Sequence, residues 1–176
     1  MKTVLIVEDE KMIRQGIKTM IMRSGVPIET IMECNNGETA LEILKEQEID
    51  VMFTDIRMPK MDGIELVQKM QSLEHIPLTV AISGYDDFAY AVEMLRNGVR
   101  EYILKPTERE KITEILKKLN AEIESRKEKE ENNQKIGYQQ MRHLMLSDEI
   151  SGEEQRTIES QYADHFYTGN YYVCCQ

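Results

Sequence analysis

Acidic side chains stand at the ends of two apolar segments. Glu8-Asp9-Glu10 follows the run TVLIV, and Asp55 ends the run VMFTD. Carboxylates that come within a few ångströms of one another have raised pKa values unless a cation compensates them. Oxygen ligands on a partly solvated edge suit Mg²⁺, which keeps several waters and takes one or two protein carboxylates. These acids therefore predict a magnesium site, provided that the fold brings them together.

A hydroxyl and an ammonium group end two further apolar segments. Ser83 ends LTVAIS, and Lys105 precedes Pro106 at the end of EYILK. A metal, a lysine, a hydroxyl and an aspartate together indicate phosphoryl chemistry, in which a protein mainly positions groups and neutralises charge. Asp55 is then the candidate nucleophile, which would form an acyl phosphate. Each residue alone is more typical of a turn or a helix cap, and their joint occurrence favours chemistry.

Short β-prone segments alternate with helical periodicities from Lys2 to about Leu119. The predicted strands are 3–7, 29–34, 51–55, 78–83 and 101–105. They are mostly continuous in apolar residues, which is typical of parallel strands covered on both faces. Five β-then-α units predict an α/β fold with a doubly wound five-stranded parallel sheet. In such a sheet, ligands bind beyond the carboxyl ends of the strands, and every candidate residue falls on that edge.

The composition excludes several classes of function. The formal net charge is −10, which argues against this chain coating nucleic acid or an anionic membrane. No apolar run approaches the roughly 20 residues that span a bilayer, and the N-terminal apolar run is too short for a signal peptide. We therefore expect a cytoplasmic protein without membrane contact. The three cysteines predict neither a disulfide framework nor a metal site, and the three dispersed histidines are expected to be surface or packing residues.

The texture of the chain changes beyond the fifth unit. We expect a domain over 1–120, a charged helical linker over 121–140 that continues the fifth helix, and the start of a second, incomplete module over 141–176. The linker is expected to be a solvated arm, because heptad positions that a dimerising coiled coil would need carry Arg126, Lys129 and Asn133. The β-prone run from Tyr171 to Cys175 would pair within a small unit, in a dimer or in a longer protein, of which we favour the last.

Four segments in order carry a resemblance to a known family. Glu8-Asp9, TDIRMPKMDG around Asp55, SGYDD from Ser83 and EYILKP resemble the receiver domain of bacterial two-component response regulators over about residues 2–120. The resemblance implies a flavodoxin-like strand order 2-1-3-4-5 and phosphoryl transfer from a sensor histidine kinase onto Asp55. It also implies Mg²⁺ bound by Asp9, Asp55 and the backbone carbonyl of Arg57, with Glu8 acting through water. Here Glu8 stands where Asp is commoner, and Ser83 stands where Thr is frequent.

The same resemblance implies a switch rather than an enzyme. Ser83 would turn toward the phosphoryl oxygens, Lys105 would pair with that anion, and Tyr102 would swing inward. The protein would promote only its own phosphorylation and dephosphorylation, and would bias a surface formed by the fourth helix, fifth strand and fifth helix. The less favoured alternative for Tyr102 is an ordinary half-buried strand aromatic.

The last part of the chain resembles, more weakly, the middle region of AraC-type transcriptional regulators. DNA would then be bound only through a domain not in this chain, and a homodimer is left open. One alternative is a magnesium-dependent phosphatase of the haloacid-dehalogenase type, but the second acid expected two residues after the nucleophile is replaced by Arg57. Another is a receiver-like interaction module that is never phosphorylated. The joint presence of Glu8, Asp9, Asp55, Ser83 and Lys105 argues against it.

Overall fold

The computed structural model describes residues 1–84 and 88–146. At 88–89, 130, 134 and 136–146 it describes the backbone but not the side chains. The acids of the SGYDD segment therefore lie outside the described residues. So do the predicted strand from Tyr171 to Cys175 and most of the predicted module over 141–176. Within the described residues, no helix is both long and apolar enough to cross a membrane.

The described chain alternates strands and helices, as the sequence predicted. The strands are β1 (Thr3–Val7), β2 (Thr30–Cys34), β3 (Val51–Asp55), β4 (Leu78–Ser83) and β5 (Glu101–Leu104). The helices are α1 (Lys11–Met22), α2 (Gly37–Glu46), α3 (Gly63–Met70), α4 (Phe88–Arg96) and α5 (Arg109–Leu146). All the strand pairs are parallel, and the order is β2-β1-β3-β4-β5. The predicted doubly wound sheet, its strand order and its helical C-terminal extension are confirmed.

Two strand boundaries differ from the prediction by one residue. Strand β2 begins at Thr30 rather than Glu29, although the amides of both residues donate to the Lys2 carbonyl at 3.0 Å. Strand β5 ends at Leu104 rather than Lys105. Pro106 follows and has no amide proton with which to continue a ladder.

Apolar clusters cover both faces of the sheet. Along β1, Val4 and Ile6 belong to the cluster that contains the buried side chains of α1 and α5. Leu5 and Val7 belong to the cluster that contains those of α2, α3 and α4. This alternation follows from the period of two along a strand. Because helices cover both faces, the central strands β3 and β4 are buried throughout, and only the ends of the strands are open to a ligand.

The chain divides into two compact units. Met1–Lys127 forms the first, and Glu128–Gln176 forms the second. Helix α5 contributes buried side chains to the first unit as far as Ile123. Beyond that residue its described side chains are exposed. The boundaries predicted at residues 120 and 140 stay predictions.

Candidate functional site

The pairing of the strands brings the predicted acids to one place. Strands β1 and β3 are neighbours with Val7 opposite Thr54, so the residues after β1 lie beside Asp55. On the other side of β3, Asp55 pairs with Ile82, and Ser83 at the end of β4 pairs with Leu104. The carboxyl ends of four adjacent strands therefore carry all the side chains that the sequence singled out for chemistry.

Three carboxylates form the centre of the site. One ligand oxygen each from Glu8, Asp9 and Asp55 lies within 4.8 Å of the others. Glu8 and Asp55 are buried, with 1% and 8% exposed surface, whereas Asp9 is exposed. Glu10 lies outside this group and precedes α1 as its N-cap residue. The cluster is thus closed on the protein side and open to solvent through Asp9.

Lys105 bridges the two buried acids. Its Nζ lies 2.9 Å from Asp55 Oδ2 and 2.9 Å from Glu8 Oε2, and only the contact with Asp55 has regular hydrogen-bond geometry. The other oxygen of Asp55, Oδ1, accepts a hydrogen bond from the Ile56 amide at 2.7 Å. The Ile56 amide, which follows β3, and the Lys105 ammonium, which follows β5, therefore fix the orientation of the Asp55 carboxylate.

The acidic groups at the site outnumber the ammonium group that contacts them, so a further cation would be stabilised there. Burial raises the pKa of Glu8, and the charge of Asp55 adds to this shift while Lys105 opposes it. Burial by itself lowers the pKa of Lys105, but its contacts with Glu8 and Asp55 outweigh this and the pKa is raised. One ammonium thus contacts two members of a cluster of three acids. Within the described part of the chain, Glu8 Oε2 is a buried side-chain oxygen without a hydrogen bond of regular geometry. This donor set fits Mg²⁺.

Ser83 and Tyr102 stand on the strands beside the acids. Ser83 is buried at the end of β4, and its carbonyl accepts a hydrogen bond from the Lys105 amide at 2.7 Å. Tyr102 is half-buried on β5 and packs against the apolar cluster on the α2, α3 and α4 side of the sheet. The ordinary structural role weighed for Tyr102 thus matches its present packing, and its proposed inward movement stays a prediction.

Arg57, two residues after Asp55, reaches across to α4. Its Nη2 donates to Tyr90 Oη at 2.8 Å, and the guanidinium carbon lies 5.4 Å from the centre of the tyrosine ring. Both residues, together with Asp9, line an open cavity of about 580 Å³ beside the acids. Sequence analysis named Arg57 for its backbone carbonyl and as the residue in place of a second acid, and made no prediction for its side chain. It missed Tyr90, because no local pattern joins residues 33 positions apart.

A tight loop holds Asp55 against the start of α3. Asp62 accepts a hydrogen bond from the Glu65 amide at 2.8 Å and so caps the helix. The Gly63 amide donates to the Ile56 carbonyl at 2.8 Å. A Cβ atom at position 63 would lie 2.1 Å from the Asp55 carbonyl oxygen. Only glycine fits there without displacing the backbone of the candidate nucleophile.

Sequence comparison assigns the chain that forms this site to a family. A family model described as the response regulator receiver domain matches residues 4–117. The chain belongs to the response-regulator receiver family. The Bacillus subtilis transcriptional regulatory protein YesN, itself uncharacterised, is 31% identical over 123 residues, which are 70% of this chain and 33% of that protein. The Staphylococcus aureus transcriptional regulatory protein HptR is 33% identical over 117 residues, or 66% of this chain and 45% of that one.

Solved receiver structures share the fold. The REC domain of AraT, a response regulator from Geobacillus stearothermophilus, is 35% identical and superposes with a TM-score of 0.62, covering 71% of this chain and 97% of that one. Receiver domains are signalling switches of two-component systems, which histidine kinases phosphorylate and which bind Mg²⁺ in an acidic pocket. This receiver protein spans between a third and about half of the length of the curated relatives that it matches.

Proposed function

We propose that this receiver protein accepts a phosphoryl group from a sensor histidine kinase on Asp55 and thereby switches an output. The observation that carries the proposal is the grouping of Glu8, Asp9 and Asp55 within 4.8 Å, with Lys105 Nζ 2.9 Å from Asp55. Such a site combines a nucleophile, a fixed ammonium and oxygen ligands suited to a cation at the open end of a parallel sheet.

In the proposed reaction, a carboxylate oxygen of Asp55 attacks the phosphorus of a phosphohistidine. The new P–O bond forms as the P–N bond breaks, and the imidazole leaves with the bonding electron pair and takes up a proton. The Ile56 amide holds the Asp55 carboxylate in position during the attack, and Lys105 pairs with the oxygens of the arriving phosphoryl group. Positioning and charge neutralisation account for most catalysis of phosphoryl transfer.

The ligands of Mg²⁺ would be Asp9, Asp55 and the backbone carbonyl of Arg57, with Glu8 acting through water. When bound, the ion supplies positive charge that offsets the repulsion between the carboxylates and the phosphoryl oxygens. Asp9 is suited to this role because it is the exposed member of the three acids. Glu8 is buried and already faces Lys105, which favours an indirect contact.

The proposed switch uses groups next to Asp55. The Ser83 hydroxyl would turn toward the phosphoryl oxygens, Lys105 would shift toward the new anion, and Tyr102 would move inward. Ser83 and Lys105 are already joined through the backbone, because the Lys105 amide donates to the Ser83 carbonyl. A change at Asp55 could thus reach β5 and its neighbours α4 and α5.

We further propose that the output is transcription through a DNA-binding domain outside this chain, in a cytoplasmic regulator of AraC type. Support comes from two longer relatives that are named transcriptional regulatory proteins. In this proposal residues 1–120 are the receiver, 121–140 the linker and 141–176 the start of a second module. A homodimer is compatible with the proposal. The haloacid-dehalogenase alternative is disfavoured, because the family match is to receivers and Arg57 replaces the second acid.

Phosphorylation can be tested by mass spectrometry of the intact protein. Incubation with Mg²⁺ and acetyl phosphate should add the mass of one phosphoryl group to the wild-type chain, and Asp55→Asn should abolish the addition because an amide is not a nucleophile here. Asp62→Asn is the matched control. It lines the same cavity and still caps α3, so it should be labelled normally.

Labelling of Asp55→Asn at the wild-type level would disprove the assignment of Asp55. A wild-type chain that is never labelled, by acetyl phosphate or by any kinase, would identify the interaction module instead. Steady release of phosphate from a small ester, with a turnover far above one per chain, would point to the phosphatase.

A further inference from the structure

The segment that carries Glu8 and Asp9 is not fixed by a helix cap. Asn36 and Asp62 cap α2 and α3 through side-chain hydrogen bonds to backbone amides. Glu10, at the same position before α1, makes no such bond in the described part of the chain. The Glu8 amide donates to the Cys34 carbonyl at 3.2 Å, which ties the start of the segment to β2. Cation affinity also depends on how precisely the ligands beyond this bond are held, so contacts made by the rest of the segment matter.

Arg14, on the first turns of α1, holds the carbonyl side of this segment. Its Nη1 donates to the Glu8 carbonyl at 2.5 Å and lies 3.4 Å from the Asp9 carbonyl, so that one guanidinium joins the backbones of both acids. Its side chain is 15% exposed. A planar guanidinium suits this task because it presents several donors in a fixed arrangement.

Glu33 on β2 holds the other side of the guanidinium. Its Oε2 lies 3.5 Å from Arg14 Nε and accepts a hydrogen bond from Gln15 Nε2 at 2.7 Å, while its Oε1 lies 2.5 Å from Lys18 Nζ. An uncompensated guanidinium behind the acids would repel a divalent cation. Glu33 reduces that repulsion and also orients the Arg14 side chain. These contacts connect Glu33 on β2, through Arg14 on α1, to the backbone of the acidic segment.

We infer that Arg14 is a positioning residue for the magnesium site. It holds the backbone of Glu8 and Asp9 so that their carboxylates face Asp55, and it does so without touching the ion or the phosphoryl group. The inference rests on the proposed function, since it assumes that Mg²⁺ binds among these acids. It goes beyond that function in assigning part of the cation affinity to a helix residue outside the acidic group.

The test measures Mg²⁺ affinity rather than phosphorylation. Isothermal titration of the full chain with MgCl₂ gives the dissociation constant, and melting in EDTA reports the stability of the metal-free fold. Arg14→Met should raise the dissociation constant about tenfold, as is typical when a group that orients metal ligands is lost. Lys18→Met is the matched control, because Lys18 contacts the same Glu33 but not the acidic segment. It should stay within about twofold of wild type.

The outcomes distinguish failure of this inference from failure of the proposed function. Equal affinities for wild type, Arg14→Met and Lys18→Met would overturn the inference and leave the cation site standing. Absence of binding by wild type would overturn both. If Arg14→Met does not fold in EDTA, Arg14→Lys decides. It keeps the charge near Glu33 but loses the fork, and should weaken binding about threefold. A wild-type dissociation constant for that variant would overturn the inference.

Discussion

At the scale of residues, the site is organised by Lys105 between two buried acids. Its ammonium compensates both Glu8 and Asp55, which lie 97 and 50 positions away in the sequence. Glu8 has one methylene more than the aspartate that is commoner at this position in the family. With that side chain the carboxylate reaches the same ammonium as Asp55. Lys105 is therefore a structural residue in the metal-free protein as well as a proposed partner of the phosphoryl group.

Lys105→Met should lower the free energy of unfolding in EDTA by about 1–3 kcal/mol, because it leaves two buried carboxylates without their cation. The pKa of Lys105 is raised in the fold, so its stabilisation is fully present below the unfolded pKa of about 10.4 and is lost as the pH rises through the folded pKa. Urea titrations at pH 8 and above pH 10.4 measure the free energy of unfolding of both proteins. The difference between Lys105→Met and wild type should be smaller at the higher pH.

The exposed Lys69, which pairs with Glu65 on α3, offers the control for this experiment. Lys69→Met should change stability little, because exposed ion pairs contribute weakly. Saturating Mg²⁺ should reduce the cost of Lys105→Met, since a second cation then compensates the acids. A cost of Lys105→Met that is the same at every pH and with or without Mg²⁺ would contradict the electrostatic role.

At the scale of elements, close backbone contacts hold the loops at the edge of the sheet. Gly63 at the start of α3 lies against the Asp55 carbonyl, and Gly37 at the start of α2 lies against the Met61 carbonyl, where an added Cβ would come within 2.7 Å. The Gly37 amide also donates to that carbonyl at 3.2 Å. The start of α2 is therefore tied to the loop between β3 and α3, and that loop is tied to the candidate nucleophile.

Gly63→Ala should destabilise the fold by about 1–3 kcal/mol, because the new methyl group overlaps backbone atoms that cannot move aside independently. It should also slow labelling of Asp55 by acetyl phosphate, since any relief of the overlap displaces that residue. Urea denaturation and the rate of mass increase measure the two effects.

Gly16, in the interior of α1, is the matched control for Gly63. No atom would lie within 4 Å of a Cβ at that position. Gly16→Ala should therefore raise the free energy of unfolding by about 0.5–1 kcal/mol through helix propensity alone. If both substitutions shift stability in the same direction, the contact at Gly63 is not the cause.

At the scale of the whole molecule, the core of the first unit is complete before α5 ends. The last α5 side chain in the apolar cluster is Ile123, which is 7% exposed, and the compact unit reaches Lys127. Leu116 and Leu119 are fully buried in the same cluster. The receiver fold therefore needs the first part of α5 and gains no buried apolar contact from the described residues after Ile123.

A chain ending at Lys127 should fold. Its free energy of unfolding should equal that of the first unit within the full chain. A chain ending at Ile115 loses Leu116, Leu119 and Ile123, whose removal should cost about 6 kcal/mol or more, enough to unfold a typical domain. Circular dichroism with urea denaturation compares the two. A truncation at Lys127 that fails to fold would show that the second unit contributes to receiver stability.

The sequence by itself determined the element types and the edge of the sheet that carries the chemistry. Continuous apolar runs bounded by breakers specify buried parallel strands, as β3 and β4 show, and such strands put Asp55 and Ser83 at the same edge whatever the detailed packing. The helix cap at Asp62 was also predictable, because capping is local in sequence.

Only the tertiary structure decided which groups touch. The shared contact of Lys105 with Glu8 and Asp55, the bond between Arg57 and Tyr90, and the reach of Arg14 to two carbonyls were absent from the sequence analysis. A side-chain contact depends on strand register, loop path and rotamer together. The contacts of Arg14 span at most six positions in the sequence, whereas the others join residues that no local pattern relates. Residue types thus indicated the chemistry, whereas packing across the sheet set the distances on which that chemistry depends.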